Sequence, residues 1–414
     1  MPKKVVLAYS GGLDTSVIIP WLKEKRGMEV ITFSADLGQG EELDPVRDKA
    51  KKSGAVKVYI EDLRERFLTE FVFPALMARA AYSNGYLLAT ALGRPLIGAE
   101  LVRVARENGA AGIAHGCTGK GNDQVRIEAA VRALAPELEV VAPVREPDWG
   151  FKSREEEIDY AAERGIPVPV SKKSPYSYDR NLWGLSIECG SLEDPWTSPP
   201  EDAYQLSVSP EKAPDKPTRV EIEFDKGIPV ALDGKKLDPV ELVARLNELG
   251  GAHGVGRVDV VEDRLVGIKS REVYEAPAGT IVHAAHKSLV ELTVSRDLIN
   301  LAIPLSAEYG RLVYYGLWFS PQREALDGFF NEMNRPVSGT VRVRLYKGSA
   351  VVEGRKSPSA LYEEKMATYT AADKFDHTAA AGFIKLWCLP LAAEAARAAK
   401  LNGGKTGRKK LKMK

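Results

Sequence analysis

Short apolar runs alternate along the first third of the chain with longer stretches in which apolar residues recur at helical spacing. Runs of this length are typical of buried strands, and the longer stretches are typical of amphipathic helices. The predicted strands are Val5–Tyr9, Glu29–Ser34, Val56–Ile60, Ala111–His115 and Leu138–Pro143, and the predicted helices are 14–25, 41–53, 64–82, 95–109 and 122–135. This order predicts an α/β fold with a Rossmann-like parallel sheet covered on both faces. Ligands of such sheets bind beyond the carboxyl ends of the strands, so we expect the chemistry in loops 10–16, 35–40 and 116–123.

The alternation stops near Gly165, and a segment rich in Ser, Pro and Tyr, 171–200, predicts a crossing into a second domain. Beyond it the pattern predicts an α+β domain of short strands and a few helices. The strands are Tyr204–Ser209, Thr218–Phe224, Ile228–Leu232, Leu265–Lys269, Thr280–His283, Val337–Lys347 and Ser349–Glu353, and the helices are 239–249, 287–302 and 321–335. Leu361–Tyr369 and His377–Leu401 also have a helical pattern, and an apolar helix after a completed domain predicts subunit docking.

The length of 414 residues exceeds what a single hydrophobic core supports, so several domains are expected. We predict units at 1–165, 171–360 and 361–400, followed by a flexible tail at 401–414. Three widely separated cysteines indicate a reducing compartment, and neither a signal-peptide pattern nor an apolar run of eighteen residues is found. We therefore expect a cytoplasmic protein.

The net charge of +1 is unevenly placed, because the last fourteen residues carry six basic side chains and no acidic one. A basic tail is one way to contact nucleic acid. This tail has no aromatic residue, and the rest of the chain is mildly acidic, which favours a solvated terminus.

The stretch Ala8–Ser16, with the sequence AYSGGLDTS, joins the first predicted strand to the first predicted helix. Gly11 and Gly12 allow an anion to approach the backbone, and the free N–H groups of a helix start would face it. Ser10, Thr15 and Ser16 add hydroxyl donors. The stretch therefore predicts a phosphate-binding loop.

This loop differs from the two most common nucleotide motifs. A Walker A loop needs a lysine before its Ser or Thr, and the dinucleotide fingerprint needs the spacing G-x-G-x-x-G. Neither is present, whereas the segment Ser10–Ser16 resembles the S-G-G-x-D-S/T-S loop of the PP-loop ATP pyrophosphatases. That resemblance implies that the loop holds the β,γ-pyrophosphate of ATP as a leaving group.

A second glycine-rich loop, His115–Arg126, follows the fourth predicted strand. Thr118, Asn122 and Asp123 are suited to carboxylate and ammonium groups, while Lys120 and Arg126 supply positive charge.

The two loops together resemble the argininosuccinate synthase family within the PP-loop enzymes. Further segments agree, namely Tyr86–Pro95 with the pattern YLLxTxLxRP, Tyr178–Trp183 with YDxNLW, and Lys269–Thr280 with KSRxxYExPAGT. The resemblance implies a ligase of arginine biosynthesis that joins citrulline to aspartate, cleaves ATP to AMP and pyrophosphate, and passes through citrullyl-AMP. It also implies a homotetramer and Mg²⁺ as the counter-ion of ATP.

Carried over by position, the resemblance implies three sets of contacts. ATP would be held by Ala8, Tyr9, Ser10, Gly11, Gly12, Leu13, Asp14, Thr15, Ser16, Ala35 and Gly116; aspartate by Thr118, Asn122 and Asp123; and citrulline by Tyr86, Thr90, Asn122, Arg126, Ser177, Ser186, Glu262 and Tyr274. Asp14 and Asp123 are the candidate catalytic residues, with Asp123 as the expected partner of the aspartate amine and as the hypothesised acceptor of its proton. One departure is Ala91, where family members commonly carry serine, so Thr90 alone would supply the hydroxyl.

Several other functions compete with this interpretation. A thiolation enzyme would need a cysteine pair and an amidotransferase a glutaminase domain, and neither is evident in the sequence. A non-catalytic nucleotide sensor would not need the second polar loop. His283 and His286 have a spacing that suits a metal, but they lack a third ligand nearby, so no metal site is predicted.

Overall fold

The structure is a computed structural model that describes residues 2–40, 44–83, 85–151, 153–167 and 175–401. The chain divides into two compact units, one ending at Leu361 and one beginning at Tyr362. Residues 402–414 of the predicted tail, the first part of the predicted helix 41–53 and the start of the predicted crossing 171–200 lie outside the described residues. The finer division of the first unit near residue 165 stays a prediction.

The described residues form three sheets from strands that we number along the chain. They are β1 (Lys4–Ala8), β2 (Glu29–Asp36), β3 (Lys57–Asp62), β4 (Gly112–Ala114), β5 (Glu139–Val141), β6 (Ser177–Asn181), β7 (Gly184–Glu188), β8 (Thr218–Asp225), β9 (Ile228–Leu232), β10 (Lys235–Lys236), β11 (Arg257–Asp263), β12 (Lys269–Glu275), β13 (Gly339–Tyr346) and β14 (Ser349–Lys356).

The helices up to α11 belong to the first unit, and the last three belong to the second. They are α1 (Leu13–Arg26), α2 (Asp44–Lys52), α3 (Arg64–Arg66) continued by a π-helical turn (Phe67–Val72) into α4 (Phe73–Met77), α5 (Ala89–Asn108), α6 (Asp123–Leu134), α7 (Arg154–Glu163), α8 (Pro239–Ala252), α9 (Pro277–Thr293), α10 (Arg296–Tyr314), α11 (Pro321–Asn334), α12 (Glu364–Ala367), α13 (His377–Trp387) and α14 (Leu389–Leu401).

The first sheet is parallel and has the order β3-β2-β1-β4-β5, which confirms the predicted α/β arrangement. Strand β1 lies at its centre with Val5, Val6 and Leu7 fully buried, because helices cover both faces of the sheet. All five predicted strands are present, with ends that differ by up to two residues. Strands β1 and β4 are neighbours, so the loops that follow them emerge side by side at the carboxyl edge.

Two antiparallel sheets follow, with the orders β10-β9-β8-β13-β14 and β11-β12-β7-β6. The segment predicted as an aperiodic crossing contains the hairpin β6–β7, whose turn is fixed by Asn181. Its Oδ1 accepts hydrogen bonds from the N–H groups of Trp183 and Gly184 at 2.9 and 3.2 Å. The sequence pattern missed this hairpin because polar residues occupy most of β6.

Three other predicted strands are wrong, each for a local reason. Tyr204–Ser209 joins no sheet, because the Glu275 carboxylate accepts the N–H groups of Gln205 and Leu206 at 2.6 and 3.0 Å, and the Val208 N–H donates to the Gly251 carbonyl at 3.0 Å. Leu265–Lys269 is mostly the turn of the β11–β12 hairpin. Thr280–His283 lies inside α9, a helix buried on most of its faces, where a short apolar run is ambiguous between strand and helix. The predicted helix 287–302 also spans the break between α9 and α10.

The second unit consists of α12, α13 and α14, and its large apolar side chains are exposed. Phe383, Ile384, Leu386, Trp387 and Leu389 are each more than half exposed. No single helix among the described residues is long and apolar enough to cross a membrane. Helices α13 and α14, bent by 41° at their break, meet the length and composition criteria only as a pair.

Candidate active site

The loop after β1 turns sharply into α1 and has the shape expected of a phosphate-binding loop. Gly11 adopts φ +76°, a conformation that favours glycine, and Gly12 precedes the helix without a side chain to cap it. The Ser10 and Thr15 hydroxyls lie 3.2 Å apart across the turn, and Ser16 donates from Oγ to the Gly12 carbonyl at 2.7 Å. The first-turn N–H groups therefore have no side-chain cap from Gly12, and hydroxyls flank them.

Helix α2 supports this loop from behind. The Lys49 ammonium donates to the Gly11 carbonyl at 2.7 Å, and burial lowers the pKa of this lysine. A Cβ atom added at Gly11 would come within 3.2 Å of the Val46 side chain. Helix α2 therefore holds the Gly11 carbonyl and limits side-chain size at this position.

Asp14, in the first turn of α1, is hydrogen-bonded to Glu157 of α7. Burial and the neighbouring Asp14 charge together raise the pKa of Glu157 to about 7. No local sequence signal marks Glu157, because it lies 143 residues after Asp14 along the chain.

The second glycine-rich loop packs directly against α1. A Cβ atom at Gly116 would lie 3.0 Å from Ile18 Cδ1 and 3.3 Å from Thr15 Cγ2. His115 anchors the loop, because its Nε2 contacts Glu128 at 3.1 Å and its Nδ1 accepts the Cys117 N–H at 3.2 Å. The two predicted loops therefore lie next to each other at the carboxyl edge of the sheet.

A cavity of about 270 Å³ opens beside Gly116. All ten residues predicted to hold aspartate or citrulline line it, and sequence reasoning did not assign six other lining residues. The full lining is Tyr86, Thr90, Gly116, Cys117, Thr118, Gly121, Asn122, Asp123, Arg126, Ser177, Asp179, Ser186, Glu188, Glu262, Arg264, Glu272 and Tyr274. Ala8–Ser16 and Ala35 do not line it, although Ala35 is at the end of β2, on the same sheet edge.

Strand register explains how distant residues reach one wall of the cavity. Asp179 of β6 is paired with Ser186 of β7, and Ser186 is paired with Tyr274 of β12. Residues paired directly across neighbouring strands point to the same face of a sheet, so the three side chains form a row. The Ser186 hydroxyl also lies 2.9 Å from Thr90 Oγ1, which links this row to α5.

Arg94 of α5 lies between two carboxylates of the cavity. Its Nη2 donates to Asp123 at 2.8 Å and also contacts the Asp179 carboxylate. Arg126 donates from Nη1 to the other oxygen of Asp123 at 3.0 Å. Burial opposes ionisation of Asp123, but the charges of Arg94 and Arg126 outweigh it, so the pKa of Asp123 lies below its ordinary value.

Two buried tyrosines hydrogen-bond to Glu262, which also lines the cavity. Tyr274 donates to Glu262 Oε2 at 2.8 Å, and Tyr314 of α10 donates to Oε1 at 2.5 Å. Tyr86 stacks on Tyr274 with the ring centroids 4.0 Å apart. The Asn122 amide donates to the Tyr314 hydroxyl at 2.8 Å. Tyr314 therefore connects the predicted citrulline and aspartate contacts, and the sequence offered no motif for it.

Two further carboxylates, Glu188 and Glu272, line the cavity near the turn of the β11–β12 hairpin and share Arg264. Arg264 donates from Nη2 to Glu188 at 2.5 Å and to Glu272 at 2.8 Å. Burial and the charge of Glu188 raise the pKa of Glu272 to about 8. The next residue, Leu265, donates its N–H to Asn122 Oδ1 at 2.9 Å. The hairpin tip thus fixes the second glycine-rich loop from the far side.

The two histidines of α9 do not take part in this site. Burial lowers the pKa of His283 to about 3 and that of His286 to about 4. The His286 Nε2 atom lies 2.8 Å from Asn334 Oδ1. In the part of the chain that the structure describes, no group of three or more His, Cys, Asp or Glu side chains could hold a metal ion.

Comparisons with known proteins agree with the geometry. A sequence model described as "Arginosuccinate synthase N-terminal HUP domain" matches residues 4–167, and one described as "Arginosuccinate synthase C-terminal domain" matches residues 176–394. Among solved structures, a chain titled as a predicted subunit of tRNA methyltransferase from Methanocaldococcus jannaschii is 15% identical and covers 39% of this chain and 76% of its own length. Its TM-score of 0.26 is too low to support a conclusion.

Relatives called argininosuccinate synthase match nearly the whole chain. Those from Desulfitobacterium hafniense and Carboxydothermus hydrogenoformans are each 57% identical, and the matches cover 95% of this chain and 98% of each relative. The relative from Chlorobaculum tepidum is 54% identical, over 94% of this chain and 97% of its own length. The chain therefore belongs to the argininosuccinate synthase family of ligases, which form a carbon–nitrogen bond.

Proposed function

We propose that this chain joins citrulline to aspartate in arginine biosynthesis and cleaves ATP to AMP and pyrophosphate, with citrullyl-AMP as the intermediate. The observation that carries the proposal is the position of the cavity, which adjoins the phosphate-binding loop through Gly116. A ureido oxygen is a weak nucleophile, and its carbon is a weak electrophile. Adenylation of that oxygen provides the leaving group that the amine of aspartate then displaces.

In this proposal the phosphate-binding loop holds ATP. Residues Ala8–Ser16 would receive the β- and γ-phosphates through the N–H groups at the start of α1, with the Ser10, Thr15 and Ser16 hydroxyls beside them. Ala35 would contact the adenine through its backbone, and Gly116 would lie along the nucleotide. Mg²⁺ would enter with ATP and be held mainly by phosphate oxygens and water, with Asp14 as the nearest protein carboxylate of the loop.

The cavity would hold the two amino acids at opposite ends. Thr118, Asn122 and Asp123 would bind aspartate, and the ionised Asp123 would pair with its ammonium group. Arg126 would pair with the citrulline carboxylate and Glu262 with its ammonium, inside the wall built by Tyr86, Tyr274 and the hydroxyl groups of Thr90, Ser177 and Ser186. Positioning and electrostatic stabilisation would then supply the rate enhancement without a covalent enzyme intermediate.

The exposed apolar side chains of α13 and α14 support the proposal that these helices join subunits, by family resemblance in a tetramer. Cross-linking followed by mass determination, with and without truncation after Tyr369, would test it. A cytoplasmic location is proposed from the three free cysteines of the described residues.

The experiment that tests the function uses ATP and citrulline labelled with ¹⁸O at the ureido oxygen, with and without aspartate. Transfer of ¹⁸O into AMP, together with argininosuccinate formation only when aspartate is present, is expected. AMP and pyrophosphate without ¹⁸O in the AMP would show that the loop serves a different acceptor. Absence of pyrophosphate under all conditions would favour a nucleotide sensor.

A further inference from the structure

The two carboxylates that share Arg94 differ in the number of cations that hold them. Asp123 accepts one guanidinium hydrogen bond on each oxygen, from Arg94 at 2.8 Å and from Arg126 at 3.0 Å. In the described part of the chain, Asp179 forms an ion pair with Arg94 alone. The two aspartates therefore lie side by side in one cavity but are neutralised unequally.

We propose that Asp179 accepts the proton that the amine of aspartate loses before it attacks citrullyl-AMP, while Asp123 holds the ammonium group in place. This assignment rests on the proposed function and names a catalytic residue that the sequence motifs left unassigned.

The geometry places Asp179 within reach of a group bound to Asp123. Both carboxylates contact the same atom, Arg94 Nη2, so their oxygens are separated by no more than the two hydrogen bonds to one nitrogen. Asp179 lines the cavity, and 34% of its side chain is exposed there. Its partner across the hairpin is Ser186, which orients the row of side chains toward the same space.

The electrostatics separate the two roles. Burial raises the pKa of Asp179, the charge of Arg94 offsets part of that increase, and the charge of Asp123 adds to it. The other groups that face Asp179 are Arg126, the Thr90 hydroxyl and the Cys117 thiol, and burial raises the pKa of that thiol to about 12. Of the two carboxylates, Asp179 is thus the stronger base, and Asp123 is the better permanent anion.

The proton balance is complete without another reactant. The ammonium group of aspartate gives one proton to the Asp179 carboxylate and becomes a neutral amine with a free electron pair. That pair forms the new carbon–nitrogen bond at the former ureido carbon, and the carbon–oxygen bond to the α-phosphate breaks, with its electrons leaving on AMP. Asp179 releases its proton to solvent when the products depart.

The test measures the two half-reactions separately in the full-length protein. Exchange of labelled pyrophosphate into ATP with citrulline, without aspartate, reports adenylation, and argininosuccinate formation reports the whole sequence. In Asp179→Asn we expect the exchange rate to stay within about threefold of wild type and argininosuccinate formation to fall by about 10²–10⁴-fold, the usual contribution of a general base. Asp123→Asn should instead raise KM for aspartate much more than it lowers kcat.

A neutral nucleophile provides the readout that a purely structural role would not change. Hydroxylamine is unprotonated at pH 8, so it can capture citrullyl-AMP without a base. Its reaction should proceed in Asp179→Asn at nearly the wild-type rate. In wild type, argininosuccinate formation should fall on the acid side with an apparent pKa above the ordinary aspartate value, and pyrophosphate exchange should lack this limb.

Three results would overturn the assignment of Asp179. These are unchanged argininosuccinate formation in Asp179→Asn, an equal loss of exchange and ligation, or an acid limb shared by both half-reactions of wild type. The last comparison needs no variant, so it decides the matter even where a substitution prevents folding. Failure of the wild-type protein to exchange pyrophosphate or form argininosuccinate would instead contradict the proposed function.

Discussion

The phosphate-binding loop and the amino-acid cavity are adjacent, but they are constructed in different ways. The loop is nine consecutive residues, and its proposed ligand groups are mostly backbone N–H donors presented by a turn and a helix start. The cavity draws its side chains from the second glycine-rich loop, from Tyr86 and α5, from α6, β6 and β7, and from the β11–β12 hairpin, between residues 86 and 274. A local motif thus specifies one region, and long-range packing specifies the other.

This difference shows where each region is vulnerable. The loop depends on glycine conformations that few other residues adopt, so a single added side chain should damage it. The cavity depends on charges that neutralise one another, such as Arg94 between Asp123 and Asp179. Loss of one partner therefore leaves a buried charge without a counter-charge, which is destabilising.

Replacing Gly11 by valine should lower kcat/KM for ATP by about 10²–10³-fold. At φ +76° a valine side chain is strained, and its Cβ would come within 3.2 Å of Val46. The loop would therefore shift, and small displacements of the groups that position ATP reduce the rate strongly. Steady-state kinetics at varied ATP would measure the loss. Gly27→Val is the matched control, because Gly27 has φ +60° at the other end of α1, with no atom within 4 Å of its Cβ position. It should lower Tm without raising KM for ATP, and an equal KM rise in both variants would contradict the local explanation.

Replacing Arg94 by methionine should lower argininosuccinate formation by about 10²-fold or more, because two neighbouring carboxylates would then repel each other in a buried site. The pH profile should also change, since Asp123 loses one of the two cations that depress its pKa. Arg103→Met is the control on the same helix, where Arg103 pairs with Glu61, Glu100 and Glu107 outside the cavity. Activity in Arg103→Met should be near wild type. Near wild-type activity in Arg94→Met would contradict the claim that the cavity depends on this neutralisation of charge.

Replacing Tyr314 by phenylalanine should raise KM for citrulline by about 10–20-fold, because a hydrogen bond to a charged group contributes about 1.5 kcal/mol or more. Titration of citrulline against pyrophosphate exchange would measure it. Tyr309→Phe is the control on the same helix, because the Tyr309 hydroxyl donates to Asp327 at 2.7 Å away from the cavity. That variant should lose stability and keep its KM. An unchanged KM in Tyr314→Phe would show that Glu262 does not need this tyrosine.

The smallest effect concerns the pH dependence of stability at Glu157. Its pKa rises from 4.5 to about 7 on folding, so between these values the unfolded chain ionises at Glu157 while the folded chain keeps the proton. Folding stability at this site is therefore lost as pH rises from about 4.5 to 7. The Tm of Glu157→Gln minus the Tm of wild type should therefore increase by about 1–2 °C as pH rises across this interval. A difference in Tm that does not vary with pH would contradict the prediction.

Predictability from sequence followed the same contrast between local and distant structure. The five strands of the parallel sheet and the phosphate-binding loop were predictable, because each is a contiguous run with its own pattern. Asp179 could have been singled out, since it lies in the segment Tyr178–Trp183 that carried the family resemblance. Tyr314 and Glu157 carried no local signal, because only the packing of α10 and α7 brings them to the site.

The errors in the second half of the first unit have two main physical origins. A short apolar run such as Thr280–His283 fits a strand or a buried helix equally well, and the surrounding contacts decided for α9. Conversely, the polar residues of β6 concealed a strand, because Ser177 and Asp179 line the cavity instead of a hydrophobic core. A strand that lines a binding cavity carries polar residues at positions where a core strand would carry apolar ones, so it lacks the alternation by which strands are predicted.

The sequence by itself determined the parallel sheet, the glycine turn at its carboxyl edge and, through its motifs, the family of the protein. Tertiary structure alone decided which charges meet: that Arg94 joins Asp123 to Asp179, that two tyrosines hold Glu262, and that Glu157 faces Asp14. The physical reason is range. Backbone conformation depends on neighbouring residues, whereas the protonation of a carboxylate depends on every charge and every buried surface that folding brings within a few ångströms.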